Sequence, residues 1–449
     1  MHSSKASSSM PVVHPNAAGI DIGSQFHVVA VSPDREVKPV RTFKSFTGEL
    51  HAMAQWLQLC GIETIAMEST GVYWIPAYEI LESYGFEVFL VNAREAKNVP
   101  GRKTDINDAQ WLQKLHQFGL LRASFRPTSE IVELRAYMRQ RERLLDCKAA
   151  HILHMQKAMM EMNVQLHHVV SDITGKTGME IIRAIIAGQH DPEELVKFRD
   201  NRCKNPLETM VAALTGNYKP EHVFALKQSL ELVDFYVRQV TDCDKVIEQT
   251  IKQLQQQAEP PEKPLSPKKQ GHGANALTFD VRTELYDLLG IDLTEIHGIG
   301  PTLALKLISE CGTDMSRWPT AKHFTSWLCL APGNKISGGK MLSSKTRKSS
   351  NRAAAMLRLV VPIIGKSQSA LGAFYRRLSA RSGKSIAITA TARKIATIFY
   401  NTVKYGMKYI DSGANYYDEK YKARVLEHLR RRADAFGFTL QLKTEAILQ

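Results

Sequence analysis

Residues 17–45 read AAGIDIGSQFHVVAVSPDREVKPVRTFKS, and the order of short apolar runs in this stretch decides the fold of the N-terminal region. AGIDIG, HVVAV and VKPVRTF each have the composition of a β-strand, with turn residues between them. A helical pattern begins after Thr47 and ends at Gly61, and the runs TIAMEST and FEVFLV flank a second helical segment. Strands alternating with helices predict an α/β domain, which we place at residues 15–125 after a disordered tail at 1–14.

The charge of the chain is distributed unevenly. Its 449 residues include 59 Lys or Arg against 45 Asp or Glu, a formal net charge of +14. The stretch from Met315 to Ile410 holds 18 Lys or Arg and no Asp or Glu. A solvated surface normally mixes both signs, so this stretch predicts contact with a polyanion, and nucleic acid is the foremost candidate. A basic face that keeps the protein soluble is the alternative.

Composition argues against several other classes of protein. No apolar run reaches the roughly 18 residues needed to span a bilayer. The start of the chain, MHSSKASSSMPVVHP, lacks the apolar core of a signal peptide. The six cysteines form no CxxC pair, which argues against a zinc ribbon or a disulfide framework. We therefore expect a cytoplasmic protein without membrane contact.

The middle of the chain, residues 126–257, has a helical pattern. Two heptad registers of apolar residues run through it, interrupted by Arg141 and Lys148 in the first and by Asp244 in the second. The first consists of Ile131, Leu134, Met138, Leu145, Ile152, Met155, Met159 and Met162, and the second of Leu230, Val233, Val237, Val240, Ile247, Ile251 and Leu254. Two such seams predict an α-helical coiled coil, either packed within one chain or joining two chains.

The rest of the chain begins with a polar segment rich in Pro and Gly. We interpret residues 258–280 as a flexible linker. Helical patterns resume after it, and they predict a mainly α-helical domain at 281–410 and a charged helical tail at 411–449.

Four carboxylates stand at positions that an α/β sheet could bring together. Asp21 ends the first strand, Glu68 ends the strand TIAME, and Asp105 and Asp108 share one helix face in KTDINDAQWLQKL. A ribonuclease-H-like sheet would gather these positions into a site for two Mg²⁺ ions, which prefer carboxylate oxygens. Each residue could instead serve only in a turn or as a helix cap, and Glu63 competes with Glu68.

Two glycine-containing motifs follow the linker. EIHGIGPTLALKLISECG is typical of a helix-hairpin-helix, in which Gly298 and Gly300 would let backbone N–H groups approach a phosphate. An ordinary tight helix connection is the alternative. The turn-rich PGNKISGGK places Ser337 between Lys335 and Lys340, and a serine beside cations can attack phosphorus. Ser337 could also be only a turn residue, and four other serines compete with it: Ser343, Ser344, Ser349 and Ser350.

The order of GIDIG, AMEST, KTDINDA, IHGIGP and LAPGNKISGGK resembles the transposases of insertion sequence family 110, in the 1111 subgroup, over nearly the whole chain. The resemblance implies a RuvC-like domain, a coiled coil and a C-terminal transposase domain. It implies that Asp21, Glu68, Asp105 and Asp108 are the DEDD ligands of Mg²⁺, two ions per active site, and that Ser337 forms a covalent phosphoserine link to DNA. It also implies that a structured non-coding bridge RNA directs recombination of donor and target DNA.

We expect nucleic acid to contact eight residues of the C-terminal domain: Gly298, Gly300, Lys335, Lys340, Lys345, Arg347, Lys348 and Arg352. We further expect a nucleoid-associated dimer that forms a tetramer in the synapse, with metals of one protomer acting beside the serine of another. Two other functions stay open. One is a RuvC-like metal-dependent endonuclease, such as a junction resolvase, in which water attacks. The other is a non-catalytic nucleic-acid-binding protein.

Overall fold

The computed structural model describes residues 10–92, 105–268, 273, 275–348 and 350–441, with the backbone alone at residues 105 and 106. The chain divides into two compact units, Met1–Arg126 and Pro127–Gln449. Within the described ranges, no helix has the length and apolar character needed to cross a membrane.

The N-terminal unit is built on a five-stranded mixed sheet. Its strands are β1 (Ala17–Ile22), β2 (Phe26–Ala30), β3 (Val40–Lys44), β4 (Thr64–Glu68) and β5 (Glu87–Val91), in the order β3-β2-β1-β4-β5. The first three strands pair antiparallel, whereas β1, β4 and β5 pair parallel. The predicted alternation of strands and helices is confirmed, and the unit has a ribonuclease-H-like fold.

Helices cover both faces of this sheet. α1 (Thr47–Leu59) and α2 (Trp74–Ser83) pack on the face that carries Ile20 and Met67. α3 (Asp105–Gln117) packs on the opposite face, where Gly19 allows a close approach. A Cβ at Gly19 would lie 2.4 Å from the Ala109 carbonyl oxygen and 2.3 Å from the Gln113 nitrogen, so only glycine lets the helix lie this close.

In its described residues, the second unit consists of helices and one hairpin. Its helices are α4 (Ser129–Glu161), α5 (Leu166–Val169), α6 (Lys176–Ile186), α7 (Pro192–Leu195), α8 (Leu207–Leu214), α9 (Pro220–Gln255), α10 (Val281–Leu289), α11 (Pro301–Cys311), α12 (Ala321–Trp327), α13 (Arg352–Ile364), α14 (Ala370–Ser382), α15 (Lys384–Tyr405) and α16 (Gly413–Ala435). Single 3-10 turns occur at Val196–Phe198 and Leu293–Glu295. The hairpin is formed by β6 (Lys335–Ser337) and β7 (Lys340–Ser343). A mostly helical second half follows the mixed sheet, as the sequence predicted.

The two heptad seams lie on α4 and α9, which pack antiparallel within one chain. Arg141 contacts Asp244, and Glu161 lies 3.3 Å from His222, so residue numbers rise along α4 as they fall along α9. Most seam residues are buried between the helices, but Val237 is 45 % exposed. The seams therefore serve as core packing in this chain.

The polar interruptions of the two seams contact each other. Arg141 and Asp244 form an ion pair whose side chains are only 2 % and 1 % exposed. Arg141 also donates to the carbonyl of Asn275 at 3.2 Å, and the Thr278 N–H donates to Asp244 at 3.1 Å. The far end of the segment 258–280, expected to be a flexible linker, is therefore held against α4 and α9, because its backbone groups complete the hydrogen bonding of the buried ion pair.

Removing one partner of this ion pair is expected to destabilise the second unit strongly. Asp244→Ala leaves the Arg141 guanidinium buried without its carboxylate, and we expect a loss of about 3–5 kcal/mol in the free energy of unfolding. The double variant Arg141→Met with Asp244→Leu removes both charges and should recover most of that loss. Urea unfolding of the single and double variants measures both effects. A double variant no more stable than Asp244→Ala would contradict this account.

Candidate active site

Asp21 and Glu68 are neighbours at the carboxyl edge of the sheet. β1 and β4 are parallel in a register that pairs Ile20 with Met67, so the next residues, Asp21 and Glu68, occupy adjacent positions on strands about 4.8 Å apart. Side chains alternate along a strand, so both carboxylates lie on the face that α3 covers. Both residues are partly exposed, and a cleft of about 270 Å³ lined by residues 21–26 and Val28 opens beside Asp21.

The first turn of α3 lies at the same edge. The Gln113 side chain donates to the carbonyl of Ala17, at the start of β1, over 3.4 Å. Ala109, one turn earlier in the helix, lies against Gly19, two residues further along the strand. Helix and strand therefore run in opposite directions, which brings the beginning of α3 towards the end of β1 that carries Asp21.

The predicted metal ligands thus approach one edge of the sheet without forming a closed set. Asp108 is partly buried in the first turn of α3, and the side chain of Asp105 lies outside the described residues. Among the described residues, no group of three or more His, Cys, Asp or Glu side chains is arranged to hold a metal ion. The donor chemistry nevertheless fits a hard cation such as Mg²⁺. Glu63, the competitor of Glu68, precedes β4 and lies at the opposite edge.

A buried histidine anchors the other end of α3. His116 Nε2 lies 2.8 Å from Thr64 Oγ1, at the start of β4. The His116 ring packs against His14 and Phe89, with ring centroids 4.7 and 4.6 Å apart. Burial, together with the neighbouring His14, lowers the pKa of His116 to about 4. The α3 helix is therefore fixed to the sheet by a neutral imidazole.

The N-terminal unit is therefore expected to lose stability in mild acid. The folded-state pKa of His116, about 4, lies below the ordinary value of 6.5, so between these values the unfolded chain binds the additional proton. The free energy of unfolding then rises with pH across this window and falls by up to about 3 kcal/mol as the pH drops from 6.5 to 4. Denaturant unfolding of His116→Gln should show a flatter pH dependence than the parent, with His154→Gln in α4 as the control. An unchanged slope in His116→Gln would refute this assignment.

Ser337 is the last residue of β6, at the tip of an exposed hairpin. It pairs with Lys340 across a two-residue turn made by Gly338, with φ +54°, and Gly339, with φ +74°. Positive φ at both positions characterises the type I′ turn, which glycine adopts without strain. The turn-rich PGNKISGGK therefore contains a glycine turn that connects two short strands. A Gly-Gly pair flanked by KIS and KML is the feature of the sequence that indicates this hairpin.

The hairpin presents cations and apolar side chains to solvent around Ser337. Four lysines that we predicted to bind nucleic acid are exposed in and after it: Lys335, Lys340, Lys345 and Lys348. Ile336, Met341 and Leu342 are 63 %, 59 % and 69 % exposed, which is unusual for apolar residues of a strand pair. The surroundings of Ser337 can therefore attract a phosphate, but the hairpin itself contains no carboxylate that could act as a base.

Two other residues predicted to bind nucleic acid have partners inside the second unit. Arg347 donates to the carbonyl of Ser326 at 2.8 Å. Arg352 is bonded to Glu142 and lies 3.4 Å from Glu310. The Arg347 guanidinium thus contacts α12, and that of Arg352 contacts α4 and α11.

Glu142 and Glu310 link α4, α11 and α13. Lys306 lies 2.6 Å from Glu142, and Arg139 donates to both oxygens of Glu310 at 2.9 and 2.7 Å. Burial would raise the pKa of Glu142, but Lys306 and Arg352 outweigh it and lower that pKa. This network fixes the start of α13, the next element after the hairpin.

The motif HGIGP connects a single 3-10 turn, Leu293–Glu295, to α11. The first helix of the expected helix-hairpin-helix is therefore reduced to one turn after α10 ends at Leu289. Gly298 has φ +90°, and a Cβ there would lie 2.4 Å from Ile364 Cδ1. Gly300 precedes α11 and is exposed, with open space where a Cβ would be. The two glycines therefore differ: Gly298 is required by packing and backbone conformation, whereas Gly300 leaves the start of α11 accessible.

Alanine substitutions should separate these two roles. Gly298→Ala combines a left-handed backbone, unfavourable by about 1–2 kcal/mol for other residues, with an overlap against α13, so we expect a loss of about 2 kcal/mol or more in the free energy of unfolding. Gly300→Ala should change that free energy by less than about 1 kcal/mol. Thermal unfolding of the two variants checks the difference. Equal destabilisation by both would contradict it.

Two protein-family models match the chain. One, the DEDD domain model of IS110 elements, described as a transposase, matches residues 18–164. The other, described as a transposase of the IS116/IS110/IS902 family, matches residues 292–376. The first match contains the strands and helix that carry the four carboxylates, and the second contains HGIGP and the Ser337 hairpin. Among curated proteins, none matches this chain.

Proposed function

This chain belongs to the IS110 family of transposases, and we propose that it cuts and rejoins DNA strands through a covalent bond between Ser337 and a DNA phosphate. The observation that carries the proposal is the position of Ser337 at an exposed tip between two lysines. A hydroxyl there is open to a DNA backbone, and the adjacent cations stabilise negative charge on the attacking oxygen and on the phosphate.

In the proposed reaction, Ser337 Oγ attacks a DNA phosphorus. The Oγ–P bond forms, the bond from phosphorus to the leaving strand breaks, and the leaving oxygen takes up a proton as a free hydroxyl. A hydroxyl of a second DNA strand then attacks the same phosphorus and releases the serine, which regains its proton. The number of phosphodiester bonds is unchanged, so the exchange consumes neither water nor a nucleotide.

In this proposal Asp21, Glu68, Asp105 and Asp108 hold divalent metal ions, with Mg²⁺ as the expected metal. Such ions, when bound, stabilise charge on the attacking and leaving oxygens of a phosphodiester. Support comes from the adjacent strand ends of Asp21 and Glu68 and from the opposite directions of β1 and α3. Gly19 contributes by allowing α3 to lie directly on β1.

We also propose that a structured non-coding RNA encoded beside the protein directs the choice of DNA. The experiment is to purify the protein from its native operon, sequence the RNA that co-purifies, and measure DNA exchange with and without that RNA and Mg²⁺. The proposal expects one discrete RNA and exchange that requires both. Full exchange by RNA-free protein would overturn the guiding role, and full exchange in a chelator would overturn the role of the metal.

A RuvC-like endonuclease that uses water is the second candidate, because the ribonuclease-H-like unit carries the carboxylates without the serine. It would leave cut DNA ends with no protein attached and would not rejoin them. Retention of full DNA processing by Asp105→Ala with Asp108→Ala would argue against both enzymes and favour a binding protein.

A further inference from the structure

Cations are held on aromatic rings where α14, α15 and α16 meet. The Arg377 guanidinium on α14 lies 4.3 Å from the ring centroid of Tyr417 and 3.5 Å from that of Tyr421, both on α16. The Lys394 ammonium on α15 lies 4.4 Å from the ring centroid of Phe374. The rings of Phe374 and Tyr417 meet edge to face at 6.2 Å. The two cations are therefore fixed by one continuous set of aromatic contacts, in the geometry of cation–π interactions.

Two more cations lie beside them. Arg381 follows Arg377 by one helical turn on α14, and Arg424 follows Tyr421 by three residues on α16, so each shares a face with its neighbour. Burial lowers the pKa of Lys394, and the charges of Arg424 and Arg377 lower it further. Burial likewise lowers the pKa of Arg377, assisted by Arg381 and Arg424, although Tyr421 and an acidic neighbour oppose it. Arg377 is thus close enough to Arg381, Lys394 and Arg424 for their charges to repel, and Lys394 is likewise close to Arg424.

Acidic neighbours do not balance this charge. Within the described residues, Arg377 is the member of this set that has an ion pair. Its partner Asp418 is 3.8 Å away, and the Asp418 side chain is 61 % exposed. An exposed pair of this kind contributes little. No Asp or Glu occurs in the sequence of α14 or α15, whereas α16 carries Asp418, Glu419, Glu427 and Asp434, of which Glu427 is paired with Arg431. Fixed like charges of this kind are relieved by an external anion, and their spread over three helices suits a chain of phosphates better than a single ion.

We propose that Arg377, Arg381, Lys394 and Arg424 form a contact surface for a nucleic-acid backbone. We call these four residues the α14–α16 cation cluster. None of them is among the eight residues predicted to bind nucleic acid, and the cluster requires neither Ser337 nor the carboxylates. The cluster positions a strand through contacts with its phosphates. Phosphate contacts carry no direct sequence information, so the cluster does not distinguish one base sequence from another. The inference therefore goes beyond the proposed strand-exchange chemistry and can hold if that chemistry fails.

The test removes charge from the cluster but keeps Arg377, which packs on two tyrosines. In the cluster variant, Arg381, Lys394 and Arg424 are each replaced by glutamine. In the matched control, Lys157→Gln, Lys245→Gln and Lys252→Gln remove the same charge from α4 and α9, where each lysine is ion-paired on its own helix. Binding to a short DNA duplex and to an RNA hairpin is measured over a range of salt concentrations.

For the cluster variant we expect the slope of log affinity against log salt to fall by about 2–3 for at least one nucleic acid, with affinity at least about tenfold lower. The control should keep the parent slope. A loss with DNA alone identifies DNA as the ligand, and a loss with RNA alone identifies RNA. Unchanged slope and affinity for both would overturn the proposal.

A single variant keeps the test decisive if the triple variant does not fold. Arg424→Gln replaces an exposed residue and should reduce the slope by about 1. Ser337→Ala, measured in parallel, should keep the parent slope, so that a failure of the cation cluster and a failure of the serine chemistry give different results.

Discussion

Ser337→Ala is expected to abolish DNA strand exchange while DNA binding persists. Alanine removes only the hydroxyl oxygen, and Ser337 is exposed at the end of β6, so the hairpin and the fold should be unaffected. Without the nucleophile no covalent intermediate can form, and we expect exchange to fall by at least about a thousandfold, the scale seen when a covalent nucleophile is removed. Exchange of labelled DNA and binding at matched protein concentration measure the two properties.

Ser343→Ala is the matched control for this experiment. Ser343 lies on the other strand of the same hairpin, paired with Lys335, and its hydroxyl accepts from the Lys345 N–H at 3.3 Å. It should retain strand exchange within a fewfold of the parent. If Ser343→Ala abolishes exchange and Ser337→Ala does not, the nucleophile has been assigned to the wrong serine.

Asp21→Asn is expected to abolish the metal-dependent step to a similar extent. Asparagine keeps the shape of the side chain but removes the negative charge that a divalent ion requires, so we expect exchange to fall by about a thousandfold or more and Mn²⁺ binding to weaken. Glu68→Gln, on the adjacent strand, should have the same effect. Titration with Mn²⁺ followed by electron paramagnetic resonance reports metal binding independently of activity.

Glu63→Gln is the control for the carboxylates, because Glu63 precedes β4 at the opposite edge of the sheet. It should leave metal binding and exchange unchanged. A parent-like metal affinity in both Asp21→Asn and Glu68→Gln would show that these residues are not ligands of the metal site.

A mixture of the Asp21→Asn and Ser337→Ala proteins tests whether one protomer supplies the metal ligands and another supplies the serine. Recovery of exchange would support that arrangement, and absence of recovery would remove its support.

The N-terminal fold could be predicted from sequence because its determinants are local. Each strand is a short apolar run bounded by turn residues, and the parallel strands β1 and β4 place Asp21 and Glu68 at one edge whatever the details of packing. The position of α3 against the sheet could not be predicted in this way. It depends on Gly19 accepting the helix backbone at close range, and a single glycine inside an apolar run does not indicate contact with a helix more than ninety residues away in sequence.

The second unit shows what periodicity alone leaves open. Arg141 and Asp244 were each recognised as interruptions of an apolar seam, but their pairing joins positions 103 residues apart in sequence. The heptad pattern could not distinguish an intrachain pair from an interchain one, because the same apolar face serves either. The hairpin was missed for a different reason. Its strands are three and four residues long and largely exposed. They therefore lack the alternation of buried apolar and exposed polar residues by which a strand is recognised in a sequence.

The central claim, that Ser337 carries the broken DNA strand, can be tested directly by trapping the intermediate. The protein is incubated with Mg²⁺, its co-purified RNA and a DNA substrate whose cut strand cannot be rejoined, then denatured and digested with protease and nuclease. Mass spectrometry should find a nucleotide esterified through phosphate to the peptide that contains Ser337. Cut DNA with no attached peptide, or an adduct on any other residue, would contradict the account.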